Sequence, residues 1–318
     1  FRELIVDESG HAARLDVYLA RVLPAVTRRR ARALVDAGEV TVNGKRARKG
    51  DALRAGDAVA IWSEPIPESW SPLPAPEIEL VVLREEESFL AIEKPSGIPS
   101  VPLDPDEPGT LAGAVAARFP ECAALGRSPG DGGLLQRLDR GTSGLVLVAR
   151  TEEAFQALSA AQRRNEIEKV YAALVARRDG PWPERIEAPL EAAGKGGAGV
   201  RVGFGGTAAT TWIRSTEDLG AFCLVEAVIH RGGRHQIRAH LAHLGSPIAG
   251  DDRYGGPAVP GLARLFLHAC EVSAPHPETS ERFTIASKLP EPLVGVLRAL
   301  GRENGVSAAT TQVRLISS

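Results

Sequence analysis

One stretch, LLQRLDRGTSGLVLVAR at residues 134–150, constrains the fold of this chain more than any other. Residues 145–148 are apolar over the length of a buried strand, and the polar segment before them has the composition of a loop. Asp139 stands in this loop between Arg137 and Arg140. A carboxylate at a strand edge beside cations can stay ionised while partly shielded from water. For an isolated Arg-Leu-Asp a structural ion pair is the more common explanation. A functional role for Asp139 therefore needs support from the rest of the sequence.

Length, charge and cysteine content limit which classes of protein this chain can belong to. The chain has 318 residues and a formal net charge of −2, so about two domains are expected and any nucleic-acid binding has to come from a local basic surface. The three cysteines are far apart and form no CxxC pair, which argues for a reducing compartment and against a disulfide framework. No apolar run approaches the ~20 residues of a membrane span. We therefore expect a soluble, cytoplasmic protein without a membrane partner.

The N-terminal part of the chain predicts a small basic domain. Residues 14–22 and 28–37 have helical apolar spacing, and a strand at 40–42 precedes Asn-Gly, a strong hairpin signal. Between residues 11 and 54 there are 11 Lys and Arg against 4 Asp and Glu. Arginines crowd the start of the second helix, where cations oppose the helix dipole. Phosphate is the partner that this charge favours, and a solvated basic face is the alternative.

The order of these elements, with the segments GEVTVNGK and LRAGDAVAI, resembles the S4-like RNA-binding domain. The resemblance covers residues 11–62, and we assign residues 1–62 to this small α/β domain. It implies that the basic excess binds RNA. The residues predicted to do so are Arg28, Arg29, Arg30, Arg32, Lys45 and Arg46.

Three further regions follow along the chain. Residues 63–79 hold five prolines among mostly polar residues, a composition typical of an extended linker. Residues 80–303 alternate strand patterns with amphipathic helices, which predicts a larger second domain. Residues 304–318 lack a core pattern and are expected to form a tail.

Two segments of the second domain carry candidate partners for Asp139. In the predicted strand at 168–175, alternation places Lys169 and Tyr171 on one face, although a strand tyrosine is usually a core residue. The segment 230–245 is dense in arginine and histidine and becomes helical from His235. Its histidines do not have metal-ligand spacing, and no Asp or Glu falls between residues 230 and 243, which argues against a metal site. Its arginines need an anion, either a substrate phosphate or Asp139.

Five segments in the same order resemble the RluA-type pseudouridine synthases: EKPSGIP, RLDRGTSGLVLVAR, EKVYAALV, HQIRAHLAHLGSPIAGDDRYGG and LFLHACEVSAPHP. The resemblance implies an α+β pseudouridine synthase fold with a central, mostly antiparallel sheet and flanking helices. It also implies conversion of uridine to pseudouridine in RNA without a metal or organic cofactor. Several members of that family carry the same small RNA-binding domain at the N-terminus.

The resemblance assigns roles to individual residues. Asp139 is the essential carboxylate, Arg238 pairs with it, and Tyr171 stacks near the flipped base and is a candidate to handle the proton. Arg137 helps to hold the target base out of its stack, which offsets roughly a few kcal/mol of unstacking. The full set of predicted substrate-binding residues is Gln136, Arg137, Lys169, Arg234, His235 and Gln236.

The chain departs from the family pattern at two positions. The family usually has histidine where this chain has Gln136, and its Gly-Arg-Thr is replaced here by Gly-Gly-Arg, ending at Arg234. Neither departure touches Asp139, Tyr171 or Arg238. We therefore expect a monomeric RNA pseudouridine synthase that acts on large-subunit ribosomal RNA or a pre-ribosomal particle. The alternatives are a transfer-RNA synthase and a non-catalytic RNA-binding or ribosome-assembly factor.

Overall fold

A computed structural model describes residues 1–23, 26, 28–48, 50–62, 70–193 and 199–303. The chain divides into two compact units. The first unit comprises Phe1–Trp70 with Arg127–Pro129, and the second comprises Ser71–Gly126 with Gly130–Ser318. Among the described residues, no helix combines the length and the apolar character needed to cross a bilayer.

The first unit packs two helices with a four-stranded antiparallel sheet. Its helices are α1 (Leu15–Val22) and α2 (Arg28–Asp36), and its strands are β1 (Arg2–Ile5), β2 (Val40–Val42), β3 (Lys45–Arg46) and β4 (Ala58–Ile61). The strand order is β1-β4-β2-β3. Asn43 and Gly44 both have positive φ, 51° and 72°, as the tight β2–β3 hairpin requires. Leu15 and Leu19 of α1 share the core with Val59 of β4 because helical spacing puts them on one face.

The second unit is built on a nine-stranded sheet and a separate two-stranded hairpin. Its strands are β5 (Val81–Glu85), β6 (Phe89–Lys94), β7 (Ser143–Ala149), β8 (Glu168–Ala176), β9 (Arg185–Glu187), β10 (Leu190–Ala193), β11 (Gly199–Val202), β12 (Thr210–Leu219), β13 (Phe222–Ile229), β14 (Leu267–Pro275) and β15 (Arg282–Ala286). Its helices are α3 (Leu111–Arg118), α4 (Glu152–Arg163), α5 (Gln236–His243) and α6 (Glu291–Glu303). The main sheet has the order β5-β6-β7-β14-β8-β13-β12-β9, with β15 paired to β14.

The pairing is mostly antiparallel, and the α+β class predicted from the sequence is confirmed. Among the described strand pairs, only β7 and β14 run parallel, with Ser143 opposite His268 and Gly144 opposite Ala269. The hairpin pairs β10 with β11, so that Leu190 lies opposite Val202.

The central strand β7 is buried along its whole length because both of its faces are covered. Leu145 and Leu147 share a core with α4, whereas Val146 and Val148 share the opposite core with α3 and α6. Thr151 caps α4, since its side chain accepts a hydrogen bond from the Ala154 amide at 3.1 Å. A continuous apolar run is typical of a strand buried on two sides.

The proline-rich linker and the C-terminal tail stay predictions. Residues 63–69 and 304–318 lie outside the described residues. The end of the predicted linker packs into the second unit, where Ala75 is buried and its amide donates to the Gly113 carbonyl at 2.9 Å.

Candidate active site

Asp139 lies in the loop that enters β7, with its side chain 26% exposed. Arg238 of α5 donates from Nη1 to Asp139 Oδ2 at 2.7 Å. Within the described part of the chain, no group donates a hydrogen bond to the other oxygen, Oδ1. The carboxylate is therefore held at one oxygen and open at the other.

The backbone of this loop is fixed by residues 94–100, which comprise the last residue of β6 and the segment after it. Buried Ser100 accepts from the Leu138 amide at 2.9 Å and donates to the Leu138 carbonyl at 2.8 Å. The Gly97 amide donates to the Arg140 carbonyl at 2.7 Å. The loop before β7 has no regular secondary structure, so its backbone groups form their hydrogen bonds with residues 94–100 instead.

Lys94 completes this support from beneath the loop. It is fully buried, and its Nζ donates to the carbonyls of Pro95, Arg140 and Thr142 at 2.9, 3.3 and 2.9 Å. Burial, followed by the nearby Arg264 charge, lowers the pKa of Lys94 to about 7, against the opposing effect of Asp139. The three carbonyls use all three of its donors, so Lys94 ties the loop to the end of β6.

Gly144 permits the close parallel approach of β7 and β14. Its φ is +118°, a region that side chains rarely adopt. An added Cβ would lie 2.2 Å from the carbonyl oxygen of Ala269. A glycine is therefore required where the candidate site meets the sheet.

Arg238 is held by two carboxylates. In addition to Asp139, it donates from Nε and Nη2 to the two oxygens of Asp251, each at 2.8 Å. Asp251 is 1% exposed at its side chain, and the guanidinium also lies over the Tyr254 ring at 5.1 Å. Burial alone would lower the pKa of Arg238, but hydrogen bonds to Asp251 and Asp139 outweigh it and raise the pKa. Arg238 is therefore a fixed cation that orients Asp139.

His235 precedes α5 and approaches the same carboxylate. Its Nε2 lies 3.8 Å from Asp139 Oδ1, and its Nδ1 lies 3.0 Å from the Tyr254 hydroxyl. Its φ is +52°, a left-handed conformation that is uncommon for a residue other than glycine.

Tyr171 projects from β8, which lies between β13 and β14 in the sheet. It is 6% exposed and stands opposite Ala227 and Ala269. Burial, reinforced by the Asp139 charge, raises the pKa of the Tyr171 phenol, so the ring stays neutral. The effect of the Asp139 charge on this pKa means that the Tyr171 phenol lies close enough to feel the charge of the carboxylate.

The other predicted substrate-binding residues differ in exposure. Arg137 and Arg234 are exposed, whereas Lys169 is 1% exposed. Gln136 is half-buried, and its Nε2 has no hydrogen-bond partner in the described structure. The unpartnered amide marks the position where this chain departs from the family pattern.

The side-chain amide of Gln236 is engaged within the protein. Its Oε1 accepts from the Gly233 amide at 2.9 Å, and its Nε2 donates to the Thr210 carbonyl at 2.8 Å and to Thr211 Oγ1 at 3.3 Å. The residue is 4% exposed. The structure thus gives Gln236 a supporting role at the start of α5, and its predicted substrate contact stays a prediction.

In the first unit, buried Asp16 organises three arginines. It accepts from Arg14, Arg28 and Arg32 at 3.0, 2.9 and 2.8 Å. Burial raises the pKa of Asp16, and hydrogen bonds from these arginines outweigh that effect, so the pKa falls well below its usual range. Arg28 and Arg32 therefore have a carboxylate partner, yet remain 49% and 44% exposed at their side chains.

The remaining predicted RNA contacts are less buried. Arg29, Lys45 and Arg46 are exposed, and Arg30 is half-buried. Arg46 donates to the Asp36 carbonyl at 3.3 Å, which places its side chain beside the end of α2.

Sequence reasoning assigned no role to Asp251, Tyr254, Lys94 or Ser100. The first two lie within the segment that follows the arginine helix, and the others lie in or beside EKPSGIP. A buried arginine with five donors needs more than one acceptor, so a carboxylate near α5 could have been sought. Across the described residues, no group of three or more His, Cys, Asp or Glu side chains could hold a metal ion.

The sheet and the loop at β7 give this chain the fold of the pseudouridylate synthases. The chain shares its fold with the human RNA pseudouridylate synthase domain containing 4, with a TM-score of 0.54 and 22% identity. That alignment covers 69% of this chain and 92% of the human one.

Sequence comparisons agree with the fold. A model described as RNA pseudouridylate synthase matches residues 88–243, and an S4 domain matches residues 13–59. The ribosomal large subunit pseudouridine synthase D of Xanthomonas campestris pv. campestris is 32% identical, covering 97% of this chain and 95% of that protein. The corresponding synthase C of Vibrio vulnificus is 33% identical, covering 93% and 95%.

The chain belongs to the RNA pseudouridylate synthase family. It is an isomerase that converts uridine to pseudouridine in RNA, and the resemblance to the RluA-type enzymes with an S4-like domain is confirmed. The non-catalytic alternative is therefore set aside.

Proposed function

We propose that this synthase modifies specific uridines in large-subunit ribosomal RNA. The observation that carries the proposal is the coverage of relatives named for that substrate, which extends over nearly the whole length of both proteins. The similarity thus includes the S4-like domain as well as the catalytic one. An enzyme that shares both parts has the elements for binding the same kind of RNA.

We further propose that Asp139 is the reacting carboxylate. Arg238 binds Oδ2, so Oδ1 is the oxygen that faces the nucleotide. An ionised aspartate can act as a nucleophile or as a proton acceptor, either at the ribose or at the uracil. In the overall reaction the C1′–N1 bond breaks, the uracil turns, C5 bonds to C1′, and the C5 proton is lost while N1 gains one.

The surrounding residues bind and orient the nucleotide. Tyr171, kept neutral by burial, offers a ring on which the flipped base stacks. Exposed Arg137 takes the space that the base leaves, and exposed Arg234 binds phosphate. Lys169 and His235 complete the proposed contacts of the site.

The S4-like domain supplies RNA affinity in this proposal. Exposed Arg29, Lys45 and Arg46 bind phosphates, and the cluster around Asp16 holds Arg28 and Arg32 in fixed positions. A cation that is already fixed loses less conformational entropy when it binds.

Two observations support the proposal that the enzyme acts as a monomer in the cytoplasm. Asp139, Tyr171 and Arg238 come from a single chain, as an enzyme acting as a monomer requires. All three cysteines are free and buried, which suits a reducing cytoplasm.

The test uses an unmodified large-subunit ribosomal RNA transcript labelled with tritium at uridine C5. We expect stoichiometric tritium release by the native enzyme and its loss in Asp139→Asn. Asp252→Asn, which removes an exposed carboxylate from a nearby loop, is the matched control and keeps activity. Release from transfer RNA instead of the ribosomal transcript would contradict the proposed substrate.

A further inference from the structure

The Tyr254 hydroxyl determines which nitrogen of His235 carries a proton. It donates to the Val200 carbonyl at 2.9 Å and accepts from the Val200 amide at 3.2 Å. A phenol has a single hydroxyl proton, and the hydrogen bond to the Val200 carbonyl already uses it. The 3.0 Å contact with His235 Nδ1 is then a bond in which the imidazole donates. The neutral ring therefore carries its proton on Nδ1.

This tautomer leaves a lone pair on Nε2, the nitrogen that faces the candidate site. Nε2 lies 3.8 Å from Asp139 Oδ1, the same oxygen that Arg238 leaves open. The His235 side chain is 10% exposed, so bulk water has little access to the ring. An unprotonated nitrogen is thus fixed beside the reacting oxygen.

The surroundings keep the ring neutral before reaction. Burial lowers the pKa of His235, Asp139 opposes this effect, and the cations Arg238, Arg234 and Arg253 add to it. The ring is therefore unprotonated near neutral pH, as a general base has to be before it acts.

The backbone at His235 is a second, independent sign of function. Its φ of +52° is uncommon for a residue with a side chain, and such conformations cluster at active sites.

We propose that His235 is the general base that removes the C5 proton after the new carbon–carbon bond has formed. The C5–H bond breaks, its electron pair restores the C5–C6 double bond of the uracil, and the proton bonds to His235 Nε2. Asp139, free again at that stage, stabilises the imidazolium, which then releases its proton to water. The inference rests on the proposed role of Asp139.

The test compares His235→Asn with the native enzyme on large-subunit ribosomal RNA transcripts that carry either protium or deuterium at uridine C5. Pseudouridine formation is measured in single-turnover time courses by carbodiimide adduct mapping. We expect a rate loss of about 100-fold, the usual contribution of a general base. We also expect the deuterated transcript to react more slowly than the protiated one in the variant, because proton removal then limits the rate.

Two controls separate catalysis from folding. His243→Asn changes an exposed histidine on the same helix and should keep both the rate and the native isotope effect. Added imidazole should partly restore His235→Asn if the variant lacks only a base. A native rate in His235→Asn, or a slow rate with neither an isotope effect nor rescue, would overturn the inference. Failure of the native enzyme on this transcript would instead count against the proposed substrate.

Discussion

At the scale of single residues, the site depends on one guanidinium shared by two carboxylates. Asp251 takes two donors of Arg238 and Asp139 takes a third. Because Asp251 is almost fully buried, it holds Arg238 in place whether or not Asp139 is engaged in chemistry. On the proposed role of Asp139, the two aspartates therefore have separate tasks, since Asp251 positions Arg238 and Asp139 reacts.

Asp251→Asn should lower kcat more than it raises KM, because Arg238 would lose its fixed orientation. Breaking a buried ion pair by removing one partner typically costs about 3–5 kcal/mol, so stability should also fall. Steady-state kinetics measure kcat and KM, and urea unfolding measures the loss of stability. Asp252→Asn is the matched control, and a native kcat in Asp251→Asn would contradict the positioning role.

The residue scale also shows what sequence patterns can find. Asp139, Tyr171 and Arg238 were chosen from motifs, and the structure brings Arg238 within 2.7 Å of Asp139. The role of Asp251 was missed because a pairing between a helix and a following loop depends on tertiary geometry. The hydrogen bonds of Gln236 to Gly233 and Thr210 were not predicted, because the motif gives no information on which side its amide faces.

At the scale of elements, the catalytic loop depends on the parallel contact between β7 and β14. The strand at 40–42 was predicted with the observed bounds, and the strand at 168–175 within one residue of them, because their patterns are local. The strand order was not predictable, since β7 pairs with β14 across more than a hundred residues and no local pattern encodes such a partner.

Gly144→Ala should destabilise the protein by about 3 kcal/mol or more, because overpacking against the Ala269 backbone adds to conformational strain. The midpoint of urea unfolding measures the loss. Gly180→Ala is the control, since Gly180 also has positive φ but an added Cβ would contact nothing within 4 Å. Equal losses in the two variants would show that strain alone matters.

At the scale of the whole molecule, acid stability should depend on a histidine within the sheet. His268 is fully buried and binds Ser143 through Nδ1 at 2.8 Å and Ser287 through Nε2 at 3.1 Å. Burial lowers the pKa of His268 to about 4 from an ordinary value of 6.5. The unfolded chain therefore binds a proton before the folded one does as the pH falls.

Stability from this group should be complete above about pH 6.5 and should be lost as the pH falls toward about 4. One pKa unit corresponds to about 1.4 kcal/mol, so a difference of about 2.5 units limits the loss to about 3.5 kcal/mol. Urea unfolding at about pH 7 and about pH 4 measures it in the native protein and in His268→Gln. An equal pH dependence in both proteins would contradict the assignment.

RNA affinity should depend on salt through the basic residues of the first unit. Replacing both Lys45 and Arg46 with glutamine should reduce the slope of log affinity against log salt by up to about 2, since each phosphate contact contributes about 1. Filter binding across a salt series measures the slope. Replacing the two exposed acidic residues Glu77 and Glu85 with glutamine controls for surface substitution. An unchanged slope in the Lys45 and Arg46 variant would remove these residues from the RNA contact.

The support of the loop by residues 94–100 has a consequence for how such enzymes change their targets. The backbone at Leu138, Arg140 and Thr142 is held by buried groups, whereas the side chains of Arg137 and Arg140 are exposed. On the role proposed for Arg137, a substitution of this exposed side chain changes contacts to RNA while the carboxylate keeps its place. We therefore expect that the choice of RNA can change while the backbone that carries Asp139 stays the same.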